Sequence, residues 1–349
     1  MTLTRHILGC LLGTAVGDAA GLRREGLTPQ RAQRLYGGNV SPELVFGRGM
    51  CSDDTEHTVM VARSLARAYN DPDRFERLLA RQLKCWLLTA PAGVGLATLR
   101  ACLKLLIGFG PLRSGVFSAG NGPAMRSALI GVCARSDDEC RELVRRSTRL
   151  SHTDPKAEEG AMVVARAARL TQSGVNRSPL EFVRSETANV RGEELRERLA
   201  RVCTSLDNGL SPAEFAHAEG WSHGVSGYVN ETVPAALYCW VVTPDDFQQC
   251  VTSAVLLGGD TDSVAAITGA IAGANLGDAA IPREWIAKLY EWPRSVGWMK
   301  ELARVLDNNL SGGQSTSPPS MHWLATLPRN AAFALIVLSL GFRRLLPPY

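Results

Sequence analysis

Gly9, Gly13 and Gly17 recur at every fourth position of an apolar opening segment, HILGCLLGTAVGD. On a helix, positions four apart share a face. Glycine has no Cβ, so that face is nearly bare backbone and a partner helix can approach it closely. Close approach over several turns commits the segment to the inside of a helix-on-helix core. The same spacing, with the acidic Asp18 following it, argues against reading MTLTRHILGCLLGTAVGDAA as a cleaved leader. Thr4 is placed to cap this helix. With 33 glycines and only 6% aromatic residues, the chain favours closely packed elements with small interfaces.

Helical periodicity continues beyond it. LARAYNDPDRFERLLARQLKCWLLT reads as two helices broken at residues 70–72, where Asn-Asp-Pro stops one and starts the next. Further amphipathic stretches cover residues 123–133, 136–148, 157–171 and 193–206, with others following Pro234 and Pro244. Alternating strand patterns are scarce and no fixed-period repeat appears. The fold class is all-α, a compact multi-helix domain. SGGQSTSPPS is the only linker-like segment. It divides the chain into a main domain over residues 1–310, a linker over 311–320 and an apolar C-terminal extension over 321–349. Within that extension AAFALIVLSLGF, residues 331–342, falls short of the roughly 20 residues a helix needs to cross a bilayer. It is read as a buried terminal helix, with no membrane involved.

The charge of +4 is small and dispersed, so no nucleic-acid partner is expected. Nine cysteines without a CxxC pair, several in apolar helical stretches such as Cys85, Cys102 and Cys239, fit reduced thiols of a cytoplasmic protein. A monomer is expected.

Two acidic turns stand out. CSDDTEHT places Ser52, Asp53, Asp54 and Glu56 just before an apolar helix, and GGDTDSVA places Asp260, Asp262 and Ser263 before another. One such turn is explained by helix capping, which stabilises by about 1 kcal/mol. Two turns that converge would instead concentrate negative charge and require a hard cation. Carboxylate and hydroxyl oxygens suit Mg²⁺, Mn²⁺ or Ca²⁺, not the sulfur and imidazole sites of zinc. His57 follows the first turn and reads as a helix residue, not a ligand. The turn around Gly120, Asn121 and Gly122 can offer backbone amides to phosphate, or be a plain turn before a helix.

Taken together these segments resemble the ADP-ribosylglycohydrolases. GCLLGTAVGDAAG is similar to that family's glycine-rich opening helix ending in Gly-Asp, and SDDT to its Thr-Asp-Asp-Thr metal turn. GNGPAMR resembles its Gly-Asn-Gly loop, GYVNETVPAALYCW its Gly-Tyr-Val segment, and GGDTDS its Gly-Gly-Asp-Thr-Asp-Thr turn. Each motif is weak alone; five in order, from Gly9 to about Ser263, form a specific signal.

The resemblance implies a central cleft with two Mg²⁺ or Mn²⁺ ions held by Ser52, Asp53, Asp54, Asp260, Asp262 and Ser263. Serine replaces the usual threonine at both ends of the set, keeping the oxygen and losing the methyl that restrains it. It also implies hydrolysis of ADP-ribosylated protein, arginine linkage first and serine second, with ADP-ribose as product. Glu25, Asp54 or Asp260 would orient the attacking water or exchange its proton. Glu25 sits where the family carries a mobile acid, but Arg23 and Arg24 replace the usual Pro-Val and suggest an exposed loop. Gly120, Asn121 and Gly122 would receive the diphosphate, His152 a ribose hydroxyl and Tyr228 the adenine. Asp18 reads as a structural residue bonding backbone amides. A catalytically silent ADP-ribose-binding or immunity protein is the alternative, and a phosphohydrolase a third reading.

Overall fold

A computed structural model describes residues 3–68, 71–172, 177–312, 316–321 and 323–345. The opening helix Leu3–Gly21 is buried from His6 onward. Its partner is the helix Thr261–Leu276, which runs antiparallel to it. Gly9 meets Gly273, Gly13 meets Gly269, Gly17 meets Ala265 and Gly21 meets Thr261. A Cβ on any of these four glycines would overlap the facing main-chain carbonyl. The two backbones therefore touch over four turns, and this pair forms the axis of the domain.

Other helices enclose the axis. Asp53–Ala68, Ala128–Cys133 and Val296–Leu310 pack on the opening helix, while Pro155–Ala168, Val229–Val242 and Phe247–Leu256 pack on its partner. No strand occurs among the described residues, only isolated bridges such as Leu27 with Gly259 and Gly120 with Tyr228. The all-α expectation agrees with this.

Several local expectations differ. Thr4 lies inside its helix, not at the cap; its N–H donates at 2.9 Å to Asp307, so a neighbouring helix supplies the capping carboxylate. The stretch 123–133 is two short helices, Gly122–Met125 and Ala128–Cys133. The helix expected after Pro234 begins at Val229 and carries Pro234 inside it. Around the expected break, helices end at Ala68 and restart at Pro72, capped by Asp71; residues 69–70 lie outside the described residues. All nine cysteines are free thiols, but Cys85 is exposed, unlike Cys102 and Cys239.

The C-terminal segment changes most. Helix Trp323–Arg344 has 22 residues and is long and apolar enough to cross a membrane by length and composition. Here it lies along the domain surface, and the expected burial holds for one stripe only. Phe333 packs with Leu22 and Leu44, whereas Leu335, Leu338 and Phe342 are 66%, 58% and 69% exposed. The loops beneath it cover a single face. Of the linker-like stretch, residues 313–315 lie outside the described residues; beyond them Thr316 exchanges hydrogen bonds with Asn309 (3.0 and 2.8 Å). In the extension, residues 322 and 346–349 also lie outside the described residues.

Candidate functional site

The antiparallel glycine contact has a direct consequence. It sets the C-terminal end of the opening helix, Asp18 to Gly21, beside the N-terminal start of the Thr261 helix. Thr261 Oγ1 donates to the Gly21 carbonyl at 2.8 Å. Asp18 then reaches the third element: its carboxylate accepts from the amides of Ser52 (2.9 Å) and Thr55 (3.2 Å) and from the Thr55 hydroxyl (2.5 Å). Asp18 thus caps the Asp53 helix from outside, bonding backbone amides as its place in the sequence implies.

The two acidic turns meet. Ser52 Oγ and Ser263 Oγ both donate to Asp54 Oδ2, at 3.2 and 3.1 Å. Asp54 and Asp262 are buried, and one carboxylate oxygen of each, Oδ1, has no hydrogen-bond partner. Asp260 accepts from Asn121 Nδ2 at 2.6 Å, and that amide also donates to Thr232 Oγ1. The turn before Asp260 is stitched on both sides. Gly26 N donates to the Gly259 carbonyl at 2.7 Å, Gly259 N to the Leu27 carbonyl at 2.8 Å, and Asp260 N to the Val225 carbonyl at 2.8 Å. Gly259 has φ +77°, and a Cβ there would strike the Val225 backbone, so only glycine fits.

Asn121, Asp260, Asp262 and Ser263 line a cleft of 330 Å³, together with Glu25, Asp53, Thr98, Gly120, Gly122 and His152; Ser52 and Asp54 lie outside that lining, Asp54 joined to it through Ser263. A larger cleft of 540 Å³ opens between Arg141 and Gly192, but its acids are already matched: Glu158 with Arg149, Glu186 with Arg166, and Glu159 with the amides of Arg191 and Gly192. The unmatched carboxylates lie at the smaller one.

Its electrostatics are those of crowded, buried carboxylates. Burial pushes Asp53 well above the usual range, helped by the charges of Glu56 and Asp18. Burial also raises Asp54, with Asp18 and Asp53 adding to it, and raises Asp262, with Glu25 and Asp260 adding. Asp260 is raised by burial against the opposing Asn121 hydrogen bond. Asp18 is pushed up to about 6 by burial. Glu25 is exposed at the rim yet crowded by protein; desolvation first, then the Asp260 charge, push it up to about 7. Such a set binds protons or cations avidly.

The donor set fits a hard cation: carboxylate and hydroxyl oxygens, two of the carboxylate oxygens unpartnered. No three His, Cys, Asp or Glu side chains among the described residues form a closed cage, so coordination here would draw on serine hydroxyls, water or substrate oxygens.

The other expected residues divide. Gly120, Asn121 and Gly122 form the cleft wall beside Gly227. His152 lies directly behind them; a Cβ on Gly120 or Gly122 would stand 3.2 Å from its ring. Burial, then the Arg126 charge, lower it to about 3, so its imidazole is neutral. Tyr228 is not part of the cleft lining. Its hydroxyl donates to Glu194 at 2.6 Å and accepts from Lys156 at 2.8 Å. The loop of Arg23 and Arg24 is less exposed than expected: Arg24 is buried and donates to the carbonyls of Gly37 and Asn39, both at 2.9 Å. His57 is buried against Trp86, away from the ligand set.

Residues the sequence did not single out also shape the site. Thr98 comes from a distant helix to the cleft wall. Arg126 is fully buried behind His152 and donates to Ser147 and Ser151. Only the GNGPAMR motif hinted at it.

Comparison with known proteins agrees with this architecture. The family model described as ADP-ribosylglycohydrolase matches residues 1–315. A protein of Archaeoglobus fulgidus is 34% identical over 85% of this chain and 94% of its own. The ADP-ribosyl-[dinitrogen reductase] glycohydrolase of Rhodospirillum rubrum is 29% identical, covering 81% and 89%, and the Bos taurus ADP-ribosylhydrolase ARH3 is 27% identical, covering 86% and 93%. A solved ADP-ribosylglycohydrolase-related protein complex superposes with a TM-score of 0.66 at 27% identity, over 88% of this chain and 99% of that one.

Proposed function

The chain belongs to the ADP-ribosylglycohydrolase family, a hydrolase of ADP-ribosyl linkages, and we propose that it removes ADP-ribose from modified protein side chains, arginine-linked first and serine-linked second. One observation carries this reading: two acidic turns far apart in sequence meet at one cleft, Asp53 lining it from the first and Asp260, Asp262 and Ser263 from the second, with Ser263 bonded to Asp54 and with Asp54 and Asp262 each keeping a buried, unpartnered carboxylate oxygen.

Ser52, Asp53, Asp54, Asp260, Asp262 and Ser263 would hold two divalent ions, Mg²⁺ or Mn²⁺. Polarisation of the ribose diol and acidification of water are what such ions supply when bound. Cleavage at the anomeric carbon passes through an oxocarbenium-like state that nearby carboxylates stabilise. Glu25, at the rim and raised to about 7, is suited to take a proton from the attacking water near neutral pH. Asn121 fixes Asp260 through its side chain, while glycines on either side of it let the diphosphate approach backbone. His152, neutral, supports that wall without adding charge.

The test is incubation with ADP-ribosyl-arginine and ADP-ribosyl-serine peptides in Mg²⁺ and in Mn²⁺. Release of intact ADP-ribose is expected. Binding of ADP-ribose without turnover would favour the silent reading, and release of phosphate a phosphohydrolase.

A further inference from the structure

The family match ends at residue 315, yet the helix Trp323–Arg344 beyond it grips the site at both of its ends. At its N-terminal end, buried Arg329 donates to the carbonyl of Cys51, the residue before Ser52, and at 2.7 Å to Glu291. Glu291 in turn accepts from the Cys51 amide at 3.1 Å. The backbone leading into the first acidic turn is thus held from both its N–H and its C=O. At the C-terminal end, Arg344 donates to the carbonyls of Glu25 and Arg23, both at 2.8 Å, while Arg31 donates back to the Arg344 carbonyl. Between the two ends, Phe333 packs with Leu22, at the start of the same loop, and with Leu44.

The loop is tied down on either side of Glu25, by the Arg24 side chain on the carbonyls of Gly37 and Asn39 and by Gly26 and Leu27 bridging to Gly259, whereas the Glu25 carbonyl itself is held by Arg344. We propose that the C-terminal helix is a positioning element of the active site, and that Arg344 is the positioning residue that fixes the carbonyls of Arg23 and Glu25 so that the Glu25 carboxylate faces the cleft. The inference rests on the hydrolase reading above. A guanidinium suits the task because its planar fork can bond two carbonyls at once, which an ammonium does less rigidly. Arg344 touches no cleft-lining side chain among its hydrogen bonds, so it acts through the loop and not on substrate.

The experiment compares the full-length protein with Arg344→Ala and Arg344→Lys. Two quantities are read: steady-state kinetics on an ADP-ribosyl peptide, and amide hydrogen exchange of residues 22–28 without substrate. Arg344→Ala is expected to lower kcat by about tenfold or more, to leave KM within about twofold, and to speed exchange in the loop. Arg344→Lys should recover part of kcat. A merely structural helix contact would not separate kcat from KM or respond to the conservative change. Loop exchange and kcat both unchanged in Arg344→Ala would overturn the proposal, as would faster exchange with undiminished kcat. If the unaltered protein hydrolyses no peptide, the functional reading fails; exchange then decides the clamp by itself, faster loop exchange upholding it and unchanged exchange refuting it.

Discussion

Ser263 donates a 3.1 Å hydrogen bond to Asp54, although 209 positions of sequence separate them. The contact follows from packing alone. Bare glycine faces hold two helices antiparallel in contact, which fixes where the second acidic turn starts relative to Asp18. Asp18 then anchors the first acidic turn by its amides. Backbone contact in the core thereby becomes side-chain convergence in the cleft. The outcome is an unusual concentration of buried carboxylates, and the most direct tests exploit that.

Asp54→Asn and Asp262→Asn should each abolish hydrolysis while keeping the helical circular-dichroism signal. Both groups are buried and raised by their neighbours' charges as well as by burial, so removing one relieves repulsion when no cation is present. In chelator, each variant should melt higher than the parent by roughly 2 °C. On adding Mg²⁺ the parent should gain about 2.7 kcal/mol at a hundredfold excess over its Kd, and the variants should gain little. Differential scanning fluorimetry with and without chelator reads both effects; equal Mg²⁺ stabilisation of parent and variants contradicts the assignment.

The same carboxylates set a pH dependence. Asp18 near 6 and Glu25 near 7, with Asp53, Asp54 and Asp262 also raised by burial, hold protons more tightly folded than unfolded. The stabilisation they give is complete below the ordinary carboxylate range and is lost as pH rises through the folded values. Metal-free protein should therefore lose stability between about pH 5 and pH 8, steepest around Asp18 and Glu25. Excess Mg²⁺ should flatten that slope. Urea midpoints at several pH values, in chelator and in Mg²⁺, check it.

His152 behaves in the opposite sense. Its folded value of about 3 lies below the unfolded one, so its contribution is present above about pH 6.5 and lost as pH falls toward 3. Its ring proton should show no titration between pH 5 and 8 by NMR, and the pH profile of kcat should keep its shape in His152→Gln even if its height drops.

Gly13→Ala tests the axis. The added methyl would overlap the Gly269 carbonyl, and the backbone has no rotamer to yield. Overpacking of this kind costs about 1–3 kcal/mol. Because parting the helices also displaces Ser263 from Asp54, Mg²⁺ affinity should weaken along with stability. Calorimetric Mg²⁺ titration of the folded variant separates this from simple destabilisation; unchanged affinity would show that the site tolerates a wider helix spacing.

Much of this was legible in the chain. Glycines at every fourth position implied close backbone contact, and Gly269, Gly273 and Gly277 repeat the same step, a partner signal that went unread. The two acidic turns announced themselves by composition, since like charges cluster only with a reason. Tyr228 does stand beside the glycine loop, bridged to Gly120, but the commitment of its hydroxyl to Glu194 and Lys156 has no local pattern in the sequence. The C-terminal helix was read as buried because hydropathy reports how apolar a helix is, not how many of its faces find a neighbour. The arginine contacts of that helix carry no local signature, since each bonds a carbonyl or acid remote in sequence.

Arg329 offers the sharpest contrast with Arg344. It shares a buried cluster with Arg294, Glu56 and Glu291, in which Arg294 bonds Glu56 at 2.5 Å and Glu291 at 2.7 Å. Burial pushes Glu291 up, but the charges of Arg294 and Arg329 outweigh it and hold the carboxyl below its ordinary value. Arg329→Met leaves two buried acids facing one cation, and breaking such a set from one side costs about 3–5 kcal/mol. The variant should unfold at clearly lower urea, and its loss should shrink on acidification, as the surplus carboxyl takes up a proton. Arg344→Ala, whose bonds lie nearer the surface, should cost no more than about 1 kcal/mol. Urea denaturation of both variants at neutral and mildly acidic pH makes the comparison; equal costs for the two would mean that the buried cluster does not anchor the helix.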